Sequence, residues 1–260
     1  MSGQAQTTSK SDTEPMPEKV SPTEFFHLLS DLQHREEAQR VSVDGSSLDP
    51  QLAILRQWQS ERLACTYADL LADEQYRSAC QFFLSDLYAA RDFSQRNQDA
   101  EHLYSILSRY LPAAMLALLA DTIRLNQLTS QLDHALLQVL VGDLGMTDTI
   151  TPQVYAQAYR LCNNYPERQG QIELLVQVLN AAAKGARNPI FTASLRLVRG
   201  PVQRAGWLEV YDFLERGHLA CKPMKDVDRF VKTIQSRETA LLEKIFAGDP
   251  EPFEREQTSY

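Results

Sequence analysis

Four times in this chain a helix-capping residue followed directly by proline opens a run with apolar residues at helical spacing: Ser21-Pro22, Asp49-Pro50, Thr151-Pro152 and Asn188-Pro189. A short polar side chain accepts a hydrogen bond from the free amides of a first helical turn. Proline fits the next position because its missing N–H would be unsatisfied there anyway. The first of the four continues as Ser21-Pro22-Thr23-Glu24, which completes a capping box. Each start is followed by apolar residues at helical spacing. No convincing period-two alternation occurs, Asn-Gly is absent, and the Asp-Gly pair at Asp44-Gly45 falls in the stretch 41–48, which reads as a loop. The chain is therefore constrained to an all-α fold.

The helices follow in order. Phe25, Leu28, Leu29 and Leu32 stripe a first helix to about Arg40, and 41–48 reads as a loop. Leu52, Leu55, Trp58 with Gln59, Arg62 and Leu63 stripe the next, and Cys80, Phe83, Leu84 and Leu87 another. A turn is expected across 89–97, where Asp92 and Ser94 are good caps. Leu103, Ile106, Leu107 and Tyr110 precede Pro112, and 113–125 is apolar nearly all round, as in a buried central helix. A separate helix is expected from Leu128 to Val139, ending near Gly142 or Gly145. Further helices follow Thr151, Tyr165-Pro166 and Asn188. The last of these is expected to close at Gly200-Pro201, and the next at Gly217. The final helix spans about 225–246. The expected architecture is one compact bundle of about ten helices over 21–248. Residues 1–20 are too polar to offset their ordering entropy and are expected to form a disordered tail, and 249–260 an acidic flexible one.

Composition narrows the function. A net charge of −8 argues against general affinity for nucleic acid or anionic membrane. The longest uncharged run, near Tyr110, is about half of what a membrane span needs. Cys65, Cys80, Cys162 and Cys221 show no C-x-x-C spacing, so they read as small buried hydrophobes in a reducing compartment rather than as zinc ligands or disulfides. The N-terminus has no apolar core of a signal peptide, and a cytoplasmic location is the expectation. No nucleotide-binding glycine loop, H-E-x-x-H or G-x-S-x-G motif is present, and no cofactor is expected.

Two stretches carry a family pattern. Phe82-Phe83-Leu84-Ser85-Asp86-Leu87-Tyr88 is followed by Asp92-Phe93-Ser94-Gln95-Arg96-Asn97. Leu195-Arg196-Leu197-Val198-Arg199-Gly200-Pro201 leads through Ala205-Gly206 to Phe213-Leu214-Glu215-Arg216-Gly217, and an Arg237-Glu238 pair stands in the last helix. Together they resemble a group of bacterial proteins of unknown function over roughly 21–248. Asn97 stands where the pattern has Asp, and Ala89-Ala90 where it has Gly-Pro or similar. The resemblance implies no chemistry.

Three constellations are candidates for function. Asp86, Arg91, Asp92 and Arg96 fit either a polar-ligand site or an arginine–carboxylate network joining two helices, and mixed charge favours the network. The span 174–208 holds Lys184, Arg187, Arg196, Arg199 and Arg204 with no acid. It fits an anion or acidic-partner site at Arg91, Arg96, Arg196 and Arg199. The favoured reading is a structural polar network in which these arginines meet carboxylates such as Glu215 and Glu238. Glu238 falls within the stripe Val231, Ile234, Leu241, Ile245 and needs a buried partner. Finally, Glu24/His27, Asp31/His34, Asp99/His102 and Glu215/His218 are acid-x-x-His pairs, the spacing used by di-iron and di-manganese bundles. Glu24, His27, Asp31 and His34 lie opposite an apolar stripe. The metal alternative therefore rests on Asp99, His102, Glu215 and His218. A non-catalytic binding protein is the leading reading, a metal-dependent enzyme the alternative, and a homodimer through an apolar helix face a third.

Overall fold

The computed structural model describes residues 20–21, 23–25, 27–28, 50–87 and 100–253. Ser21 accepts a bond from the Glu24 amide at 3.1 Å, and 23–25 and 27–28 are helical. Ten α-helices follow among the described residues. They are α1 (Pro50–Thr66), α2 (Ala68–Ala72), α3 (Arg77–Phe82), α4 (Ala100–Tyr110), α5 (Ala113–Gln138), α6 (Pro152–Leu161), α7 (Tyr165–Arg187), α8 (Pro189–Arg204), α9 (Leu208–Cys221) and α10 (Val227–Ala247). Single π-helical turns extend α3 (Phe83–Leu87) and α5 (Val139–Asp143). No strand occurs among the described residues, and no helix there is long and apolar enough to cross a membrane.

The caps behave as their chemistry requires. Thr151 accepts from the Val154 amide at 3.2 Å and Asn188 from the Ile190 amide at 2.9 Å. Asp226 caps α10 the same way, accepting from Arg229 at 3.0 Å, without a following proline to announce it. Asp49 lies outside the described residues. At the other end of α10, Gly248 takes φ +80, and the Asp249 amide reaches back to the Lys244 carbonyl at 3.1 Å. This left-handed closure needs glycine. Past it the chain folds back, and Phe253 packs edge-on against Trp58 at 5.4 Å and Tyr155 at 5.9 Å.

Three expected breaks are absent. Residues 113–138 form one helix of 26 residues rather than two, because 126–130 holds no glycine or proline and the apolar positions continue in register. Pro201 lies inside α8 instead of ending it. Val198 and Val202 are both fully buried on the same face, and that packing carries the helix past the hydrogen bond that proline removes. Gly200-Pro201 is therefore not a helix N-terminus. Gly217 likewise lies within α9, whose Phe213, Ala220 and Cys221 are buried on both sides of it. Of the cysteines, Cys80 and Cys221 are buried, but Cys162 is half-buried and Cys65 exposed, and all four are free thiols.

The core has three apolar clusters, and α5 contributes to each. Its N-terminal half (Met115, Leu116, Leu119, Ile123) joins α4, α8 and α9 around Trp207. Leu125 joins α1, α2, α3, α7 and α10. Leu136 and Leu137 join α1 and α6. Helix α7 packs along both α5 and α10, and α8 lies against α4 and α9.

Where α7 meets α8, Gly185 has no room for a side chain. A Cβ there would stand 2.5 Å from the Phe191 ring. Overpacking costs about 1–3 kcal/mol, and alanine returns about 1 kcal/mol of helix propensity. Gly185→Ala is expected to lower the unfolding free energy by about 1 kcal/mol in urea titration; a stabilised variant would show that the ring is not held against α7.

Candidate functional site

The acid-free span divides between two helices: its first part is packed into α7, where Arg187 donates to the Met224 and Lys225 carbonyls, and the rest includes α8. Helix α8 carries Arg196, Arg199 and Arg204 outward while Phe191, Leu195, Val198 and Val202 face the core. Beside its C-terminal end, α4 contributes His102, Ser105, Ile106, Arg109 and Tyr110. The two helices, with Pro201, Arg204 and Ala205, line an open groove of about 350 Å³. Its lining holds two arginines and a histidine and no carboxylate. Neighbouring groups orient the cations. Arg109 lies 5.9 Å from the centre of the Tyr110 ring and Arg199 5.7 Å from that of Tyr211. Arg204 donates from Nε to the Gly200 carbonyl at 3.2 Å. Among the described residues none of these four arginines forms an ion pair with a carboxylate. The groove therefore sets positive charge beside the apolar side chains of Ile106, Pro201 and Ala205.

The other predicted site residues are described only in part. Arg91, Asp92, Arg96 and Asp99 lie outside the described residues, as do Asp31, His34 and the side chain of Asp86. Glu215 accepts a 2.6 Å bond from the Tyr211 hydroxyl, and burial together with that carboxylate pushes the Tyr211 phenol up to about 12. His218 Nε2 lies 3.0 Å from the Thr192 hydroxyl. His102 lines the α4/α8 groove, whereas His218 borders a different, apolar cavity. Glu24 pairs with Arg124 of α5. Among the described residues no three His, Cys, Asp or Glu side chains come together to hold a metal ion.

A second polar constellation lies inside the bundle, where α1, α5, α6, α7 and α10 meet around a cavity of about 40 Å³. Glu238 accepts from Arg62 Nη1 at 3.0 and 3.2 Å and from the Tyr67 hydroxyl at 2.6 Å. Its partners thus come from α1 and the turn after it. Asp133, 4% exposed, accepts from Gln59 Nε2 at 2.9 Å, and the same amide reaches the Tyr155 hydroxyl at 3.4 Å. The Arg168 guanidinium sits 4.3 Å over the Tyr159 ring and donates to the Leu132 carbonyl at 3.2 Å and to Gln171 at 3.3 Å. Burial raises the Asp133 carboxyl above its usual range, opposed by the Arg168 charge and the Gln59 bond. Burial likewise raises the phenols of Tyr155 and Tyr159, which remain protonated. These groups bind one another, and the space between them suits a few waters.

The family scan matches a domain of unknown function (DUF8198) over residues 38–252, and the chain belongs to that family. No curated protein and no solved structure matches it significantly.

The buried centre generates two expectations. A carboxyl whose folded value is raised keeps its proton where the unfolded chain, near 3.8, has released it. The folded state binds more protons in that window, so this group's contribution to stability falls as pH rises above 3.8. The difference in unfolding free energy between the wild type and Asp133→Asn should therefore change in that direction between acid and neutral pH. Parallel curves would show that Asp133 does not titrate abnormally. Glu238→Ala leaves Arg62 and Tyr67 without their carboxylate and is expected to cost about 3 kcal/mol by the same measurement; a loss under about 1 kcal/mol would place the pair effectively in solvent.

Proposed function

We propose that this is a non-catalytic, cytoplasmic binding protein that takes an acidic segment of a partner protein along the α4/α8 face. The observation that carries the reading is charge segregation. In a chain of net charge −8, α8 exposes Arg196, Arg199 and Arg204, and the groove that Arg109 and Arg204 line has no carboxylate. Four free thiols agree with a reducing compartment.

Overall negative charge repels long polyanions such as nucleic acid, while a short acidic segment feels chiefly the local arginines. Ile106, Tyr110 and Ala205 offer apolar contact between the cations. Exposed ion pairs contribute only about 0.2–1 kcal/mol each, so micromolar or weaker affinity is expected for the segment alone.

Fluorescence anisotropy with a labelled Asp/Glu-rich peptide of about twelve residues, at about 50 mM salt, tests this. Saturable binding is expected, weakening as salt is raised. Arg109→Glu with Arg204→Glu should weaken it roughly tenfold or more, whereas Arg229→Glu with Lys232→Glu, the same charge change on exposed positions of α10, should not. Absence of binding, or equal loss in both double variants, would refute the reading.

A further inference from the structure

A second cavity, of about 80 Å³, lies between α3, α5, α7, α8, α9 and α10. Its walls are apolar: Phe82, Met115, Leu119, Val178, Phe191 and Phe213 supply much of them. The polar groups present leave it poorly suited to water. The Thr122 hydroxyl is committed to the Leu118 carbonyl at 2.8 Å. Burial pushes the Cys221 thiol up to about 11, so it stays protonated and unreactive. A buried water needs about two to four polar partners, and His218 with its Thr192 bond is the remaining polar feature at this lining.

Two glycines shape the walls. A Cβ on Gly185 would meet the Phe191 ring at 2.5 Å, and one on Gly217 would meet the Phe82 ring at 3.0 Å. With a side chain at either position the ring would have to move, and the space would change form. The lining is not sealed. Leu118, Ala182, Leu214 and His218 are half-exposed and mark the way in. The volume is roughly half of the ~150 Å³ of an engineered apolar cavity that holds benzene, so it suits a few carbons and not a whole lipid.

We propose that this cavity binds the short alkyl tail of a small molecule whose uncharged, hydrogen-bonding head remains at His218. Burial and the nearby Lys222 charge hold the His218 imidazole below its usual range, against the pull of Glu215, so it meets the head as a neutral ring. The site is separate from the α4/α8 groove and does not depend on it.

The test is titration of the full chain with 1-hexanol, followed by methyl NMR. Methyl signals of Met115, Leu119 and Val178 are expected to shift and saturate, while those of Ile190 and Leu197, exposed on α8, stay in place. Ala182→Leu, which fills the entrance from α7, should weaken binding roughly tenfold or more. If that variant is unfolded by circular dichroism, Leu118→Phe narrows the same space from α5. Hexanoate should bind more weakly than the alcohol. Unmoved cavity methyls, a filled variant that binds like wild type, or tighter binding of hexanoate would overturn the proposal.

Discussion

The burial of α5 is the constraint from which the rest of the architecture follows. A helix satisfies its own backbone hydrogen bonds, so it can run through the interior if its side chains allow it. Helix α5 has no charged residue from Ala113 to Ala120, and it contributes to every apolar cluster along its length. The other helices are arranged as its cover: α4, α8 and α9 toward its start, α7 along its flank, α1 and α6 toward its end. Asp133 is the exception that fixes this arrangement laterally. A carboxyl so deeply buried has to be met by Gln59 and faced by Arg168, which ties α1 and α7 to one position along α5.

Helix starts were legible because they are local chemistry. Ser21, Thr151 and Asn188 each bond the amide that a capping residue should bond. Helix ends were not equally legible. Pro201 and Gly217 are strong breakers when only neighbours in sequence are considered. Their helices continue because Val198 and Val202, or Phe213 and Cys221, gain more from staying on one buried face than the breaker costs. The unity of α5 was missed for a related reason: a change from an all-apolar to a striped pattern marks a change of environment, not an end of helix.

The candidate surface was visible as composition and invisible as shape. A span without acids points to Arg196 and Arg199 from sequence alone. The groove itself is lined instead by Arg109, His102 and Arg204, and it depends on α4 lying beside α8, which no local pattern encodes. The buried polar centre had a signal that was applied to one residue only. Glu238 stood out because it interrupts an apolar stripe. Gln59 falls between Leu55 and Leu63 at steps of four, and Asp133 lies beside Leu132, Leu136 and Leu137, so the same criterion selects both. Arg168 follows an ordinary helix start and gives no such sign.

The two tryptophans occupy different parts of this arrangement. Trp207, fully buried, belongs with the first half of α5, and Trp58 packs face to face with Tyr155 at 4.1 Å in the cluster around its second half. If α5 acts as one rigid member, both indoles lose their surroundings in a single transition. The chain thus carries an intrinsic optical gauge at either end of its central rod, and agreement between the two readings measures how far the bundle melts as one body.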